Sequence, residues 1–166
     1  MRVLGIDCGG ECTGFGVVEQ ADDAALSCVA VGTIELSSND PLPRRLNRIF
    51  TELCAVIERH RPDLVAIEDV FYAANAKSAL KLGQVRGVAL LCAAHCGLDV
   101  AEYAPLSIKS AVVGYGKAQK IQVQLMVTRL LHLTETPPPD AADALAIAIC
   151  HLHTAATLTR QAAGAR

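Results

Sequence analysis

The pattern of apolar and polar positions along the chain first marks strands. Residues 2–7 hold the short apolar run Val3-Leu4-Gly5-Ile6, closed by Asp7. Residues 13–19 and 26–36, the latter rich in Val, Thr and Ile, read as two further strands. Short turns between the three predict an antiparallel meander, and Gly14 and Gly16 predict close approach of another backbone. From Pro41 the period changes. Leu42, Leu46, Ile49, Leu53, Val56 and Ile57 recur at helical spacing, with Arg44, Arg45, Arg48, Glu52 and Glu58 on other faces. Pro62 ends that helix, and residues 64–68 predict a fourth strand, again closed by a carboxylate, Glu68. A long helix over 75–95, a fifth strand over 99–103 and helices around 106–113, 120–132 and 140–153 complete the pattern. The small, Ala-rich tail over 154–166 predicts fraying.

A meander leading into αβ units makes a mixed five-stranded sheet flanked by helices, the α/β outline of a ribonuclease H-like fold. The 166 residues fit a single domain, expected over 1–153, with no repeat or linker. With 52% hydrophobic and 19% charged residues, the composition excludes a disordered chain. No apolar run nears the roughly 18 residues of a membrane span. The N-terminus reaches Asp7 too soon for a secretory signal, so a cytoplasmic location is expected. The seven cysteines are irregularly spaced and read as reduced thiols. A zinc reading drawing on Cys92, His95, Cys96, His151 and His153 has no paired knuckle to support it.

Net charge is −2, which by itself does not point to nucleic acid. Its distribution does. Residues 1–71 carry six Lys/Arg against twelve Asp/Glu. Residues 72–134 carry Lys77, Lys81, Arg86, Lys109, Lys117, Lys120 and Arg129 against only Asp99 and Glu102. A basic middle third on an acidic protein is expected to face phosphate.

Four carboxylates stand where elements end or begin: Asp7, Glu68, Asp140 and Asp143. Charge at the end of an apolar strand is costly unless a metal, a partner or water meets it, which singles out Asp7 and Glu68. Asp140 and Asp143 follow Pro137-Pro138-Pro139, and the bland reading makes them an N-cap and a capping-box acid. Hard oxygen donors gathered from two strand ends and a helix start suit magnesium and two-metal phosphodiester hydrolysis. Strand alternation turns Asp69 away from Glu68 and leaves it solvated, and Glu11 is expected to be an exposed loop charge. A rival reading takes Asp7, Gly9, Thr13 and Gly14 as the first phosphate loop of an actin-like ATPase or sugar kinase. The chain is short for that class.

Taken together, these segments resemble the RuvC Holliday junction resolvases, the bacterial crossover junction endodeoxyribonucleases. The resemblance runs from about Leu4 to His153. It rests on Gly5-Ile6-Asp7, Thr13-Gly14-Phe15-Gly16-Val17, Ala66-Ile67-Glu68-Asp69-Val70-Phe71, the stretch 75–87, Glu102-Tyr103-Ala104, Val112-Val113-Gly114, the stretch 120–124 and the stretch 140–146. It implies a ribonuclease H-like homodimer that nicks two strands of a four-way DNA junction symmetrically, leaving 5′-phosphate and 3′-hydroxyl ends. It assigns metal binding to Asp7, Glu68, Asp140 and Asp143, for two Mg2+ per subunit with Mn2+ able to substitute. Lys120 and Lys109 match lysines that engage the junction near the cut, and Phe71 matches an aromatic that stacks at the crossover. A branch-migration partner, RuvAB, is implied in the same way.

The chain departs from the family pattern at Cys8, where Pro is usual, and at Gly10 and Glu11, where Ser or a basic residue is usual. These departures bear on loop geometry and DNA affinity. Some relatives in the family the chain resembles have His where Asp143 stands, so Asp143 is a choice among known variants. Gly83 and Gly87, four apart in a helical pattern, mark that helix as the expected dimer contact. A module that binds junctions without cutting them is the alternative on the same fold.

Overall fold

The computed structural model describes residues 1–69 and 76–164. Its strands are β1 (Arg2–Asp7), β2 (Cys12–Gln20), β3 (Leu26–Glu35), β4 (Leu64–Glu68) and β5 (Val100–Tyr103), in the sheet order β3-β2-β1-β4-β5. Pairing is antiparallel from β3 through β2 to β1 and parallel from β1 through β4 to β5. This is the mixed sheet that the pattern predicts. The helices are α1 (Leu42–His60), α2 (Ala76–His95), α3 (Pro105–Val113), α4 (Lys120–Leu130) and α5 (Pro139–Gly164).

Strand alternation sorts the core into two layers. Leu4, Ile6, Val17, Val65 and Ile67 face α1 and α2, where they meet Ile49, Leu53, Val85 and Ala89. Val3, Val18 and Ala66 face α3, α4 and α5, where they meet Ile108, Val127, Leu145 and Ile149. Asp7 follows Ile6, and Glu68 follows Ile67. Both carboxylates therefore point to the second layer, beside α5.

That layer closes because the sheet offers almost no side chain under α5. A Cβ on Gly5 would collide with the carbonyl oxygen of Ala144, and one on Gly14 with that of Asp140. Glycine at these two positions lets the helix rest directly on β1 and β2. The expected backbone approach at Gly14 is thus an approach by the start of α5.

Two boundaries differ from the pattern. α5 begins at Pro139, so Asp140 is its second residue rather than its N-cap, and Ala142 N–H already bonds the Pro138 carbonyl at 2.9 Å. The helix also continues beyond Thr154 to Gly164. Thr154 and Thr157 hydroxyls donate to the carbonyls one turn back, Cys150 and His153, each at 2.8 Å. Local back-bonding keeps these polar residues compatible with the helix.

Candidate active site

The parallel register of β1 and β4 pairs Ile6 with Ile67, so the next residues, Asp7 and Glu68, stand side by side at the C-terminal ends of two interior strands. Gly14 pairs with Asp7 across β1 and β2, and Gly14 is where the start of α5 touches the sheet. Asp140 and Asp143 are one turn apart on that helix. Carboxylate oxygens of Asp7, Asp140 and Asp143 all lie within 4.8 Å of one another. Glu68 completes the group. Asp7, Glu68 and Asp143 line one cavity of about 240 Å³ together with Lys109 and Lys120.

The electrostatics show what such a cluster costs. Burial pushes the Asp7 carboxyl up to about 7, and the negative charges of Asp143, Glu68 and Asp140 add to the shift. Glu68 is raised for the same two reasons, burial first and then Asp143, with Lys109 and Lys120 opposing. Lys120, the first residue of α4, donates from Nζ to Asp143 Oδ2 at 2.7 Å. That hydrogen bond is the main reason its ammonium is held above the usual lysine range. The start of α4 is itself anchored, because Gln119 N–H donates to Gln122 Oε1 at 2.8 Å.

Four mutually repelling carboxylates with hard oxygen donors fit a divalent cation, whose charge removes the penalty on Asp7. The donor set is oxygen only, which matches magnesium or manganese better than a thiophilic ion.

The basic residues divide. Lys109, on α3, shares the acid cavity. Lys81 borders a second cleft with Gly9, Gly10, Glu11, Cys12 and Asp140. Lys77, at the start of α2, and Lys117, before α4, are exposed. Arg86 is placed otherwise. Its guanidinium pairs with Glu102, sits 3.7 Å from Asp69 and reaches the Glu68 carbonyl at 3.4 Å, with only 18% of the side chain exposed. Asp69, expected to be solvated, is the partly exposed partner of that arginine. Phe71 lies outside the described residues, and Glu11 is exposed as expected.

Sequence reading missed three contributors. Arg45 is buried, and its guanidinium donates to the Gly10 carbonyl in the loop after Asp7. It lies on the stripe Arg45, Ile49, Leu53 and Ile57, so its spacing was the available signal. Thr13, fully buried, donates to the Gly9 carbonyl at 3.3 Å and pins the same loop. Burial, and after it the neighbouring Asp140 carboxylate, push the Cys12 thiol up to about 11. Cys8, in the place of the usual Pro, is likewise raised to about 12 by burial and by Asp7 beside it.

The family model described as "Crossover junction endodeoxyribonuclease RuvC" matches residues 3–151. The chain belongs to the RuvC family. Among RuvC relatives, one from Koribacter versatilis is 68% identical and covers 99% of this chain and 100% of its own length. Another, from Acidobacterium capsulatum, is 58% identical over 97% of this chain and 98% of its own. The structure resembles Thermus thermophilus RuvC in complex with Holliday junction substrate, with a TM-score of 0.90 and 36% identity, covering 96% of this chain and 97% of that one. A yeast mitochondrial Holliday junction resolvase shares the fold, with a TM-score of 0.70 at 18% identity over 95% of this chain and 80% of that one. RuvC membership displaces the phosphate-loop ATPase reading, since the segment around Asp7 lies within the family match.

Proposed function

We propose that this chain resolves four-way DNA junctions by metal-dependent symmetric nicking. The observation that carries the reading is the convergence of Asp7, Glu68, Asp140 and Asp143 with Lys120 at the C-terminal ends of β1 and β4. Two Mg2+ ions, or Mn2+ in their place, held by the four acids would polarise the scissile phosphate and supply an activated water. The chain's own residues do the rest. Asp7 and Glu68 come from the rigid core of the sheet, so their oxygens need little reorganisation during reaction. Lys120 is held beside the acids by Asp143 and is placed to neutralise charge growing on the phosphate oxygens. Lys109 offsets Glu68 and positions the backbone of the cut strand.

Lys77, Lys81 and Lys117 contact flanking phosphates, where they add affinity without reading sequence. Arg86 acts indirectly, by fixing the end of β4 that carries Glu68. Phe71, three residues beyond Glu68, stacks on a base at the opened crossover.

A two-fold homodimer suits a substrate with two equivalent strands. The exposed face of α2 supports it. Leu80 and Leu91 are 66% and 60% exposed there, and a Cβ on Gly83 or Gly87 between them meets nothing within 4 Å. A second copy packing on that stripe gives the glycines a purpose. The same reading places the protein in the bacterial cytoplasm with the RuvAB branch-migration complex as its partner.

The deciding experiment compares an immobile four-way junction with a linear duplex of the same sequence, with and without magnesium. Paired nicks confined to the junction and dependent on the metal are expected. Equal cutting of the duplex would replace the reading with a general nuclease, and tight binding without cutting would leave a junction-binding module.

A further inference from the structure

Away from the acids, in the other layer, three thiols converge. Cys54 projects from the middle of α1, Cys92 from the last turns of α2, and Cys96 from the residue just past it. Cys54 Sγ is 3.1 Å from Cys92 Sγ and 4.0 Å from Cys96 Sγ, and all three sulfurs lie within 4.8 Å of one another. Sulfurs around a single zinc ion, at about 2.3 Å from the metal, stand roughly 3.8–4.0 Å apart. The observed triangle is close to that size, and admitting an ion asks Cys54 and Cys92 to separate by less than about 1 Å.

The chemistry of the triangle separates it from the acid site. Its donors are sulfur only, which selects thiophilic ions over magnesium. Cys92 and Cys96 are four apart on one helical face, and Cys54 reaches them from the facing helix, so two packed elements contribute. Cys92 is fully buried while Cys54 and Cys96 are partly exposed, which leaves an approach from solvent. Glu58, one turn after Cys54 on α1, acts electrostatically on Cys96. His151 and His153 take no part. They belong to the opposite layer, where His151 Nδ1 lies 2.8 Å from Tyr103 Oη and His153 Nδ1 lies 3.0 Å from the Ala111 carbonyl oxygen.

We propose that Cys54, Cys92 and Cys96 form a three-thiolate site for a thiophilic metal ion of the zinc class, clipping α1 to α2. Water or Glu58 takes the fourth position. The ion joins two helices that serve the proposed active centre from behind: α1 carries Arg45, which grips the loop after Asp7, and α2 carries the face assigned to the dimer. A disulfide is the rival use of the same atoms. It engages only two of the three sulfurs. A bound metal deprotonates its thiols outright.

The test uses the full-length chain, fully reduced and metal-free, titrated with Co2+ and then Zn2+. Carboxylates also bind cobalt but give no thiolate-to-metal charge-transfer absorption, so that band reports this site alone. The expected result is a band that saturates at one ion per chain and is bleached by Zn2+. It should be lost in Cys54→Ser and in Cys96→Ser and kept in Cys28→Ser, which lies in the other layer. In the wild-type chain, Zn2+ should also protect Cys54 and Cys96 from alkylation as read by mass spectrometry, a result independent of how the variants fold. Absence of the band, its survival in both variants, or unprotected thiols at saturating Zn2+ would overturn the proposal. A Cys54–Cys92 disulfide formed with peroxide in a chain that gives no band would overturn it in favour of a redox pair.

Discussion

Lys120 Nζ lies 2.7 Å from Asp143 Oδ2, so a cation from the start of α4 is bonded into the acid cluster before any phosphate arrives. The lysine is otherwise 66% exposed, and its free donors point into the cavity that Asp7 and Glu68 also line. An ammonium held in place at a phosphate site costs no reorganisation when negative charge develops. Lys120→Ala should slow cleavage of a bound four-way junction by roughly 10²-fold or more. Junction affinity should change little. Single-turnover rates beside binding isotherms check this, and an equal loss in both would demote Lys120 to a binding contact.

Asp7→Asn and Glu68→Gln each remove a charge but keep the shape of the strand end. Each should abolish nicking while leaving junction binding intact or stronger, since the cluster repels phosphate. Cleavage persisting in both variants would falsify the assignment of the acids. Gel-shift assays in calcium or without metal read the binding arm.

The Asp7 carboxyl ionises near 3.8 when unfolded and near 7 when folded. Across that window the folded chain keeps a proton that the unfolded chain has released. Without metal, stability therefore falls as pH rises from about 4 to about 7, by up to about 1.4 kcal/mol per unit. A cation competes with this proton, so Mg2+ should raise the melting temperature more at pH 8 than at pH 6. Thermal melts in chelator and in Mg2+ at the two pH values give the answer, and equal increments would contradict it.

Gly14→Ala tests whether contact between α5 and the sheet aims the acids. The new methyl group meets the Asp140 carbonyl. Overpacking of this kind costs roughly 1–3 kcal/mol and shifts backbone. Cleavage should fall by more than the folded fraction does, as measured by urea denaturation beside initial rates. A loss of activity matching the loss of folded protein would make Gly14 purely structural.

Phe71→Ala is expected to impair cleavage more than binding, because base–aromatic stacking of roughly 1–3 kcal/mol helps hold an opened crossover. 2-Aminopurine fluorescence at the branch point would follow that opening directly. A variant that simply unfolds would assign Phe71 to the core.

Much of this protein follows from local pattern. The five strands and five helices of the described residues are visible in the sequence, as continuous apolar runs where a strand is covered on both faces and as helical spacing where one face is buried. The strand-end carboxylates stand out for the same reason, as charges where the pattern demands apolar residues. Long-range geometry is not local. Whether an arginine in a basic segment meets DNA or another side chain depends on what the sheet order brings beside it. For Arg86 that is Glu102 and the end of β4. Arg45 looked like one more polar residue of α1 until packing put its guanidinium on the Gly10 carbonyl. Cys54 had no reason to be read with Cys92 and Cys96, which are 38 and 42 residues away, until α1 and α2 were packed together. Sequence alone determined which elements form and which residues carry unusual chemistry, since both are properties of a few neighbouring positions. Tertiary structure decided which of those residues meet, because register, helix approach over glycine and layer assignment depend on the whole sheet.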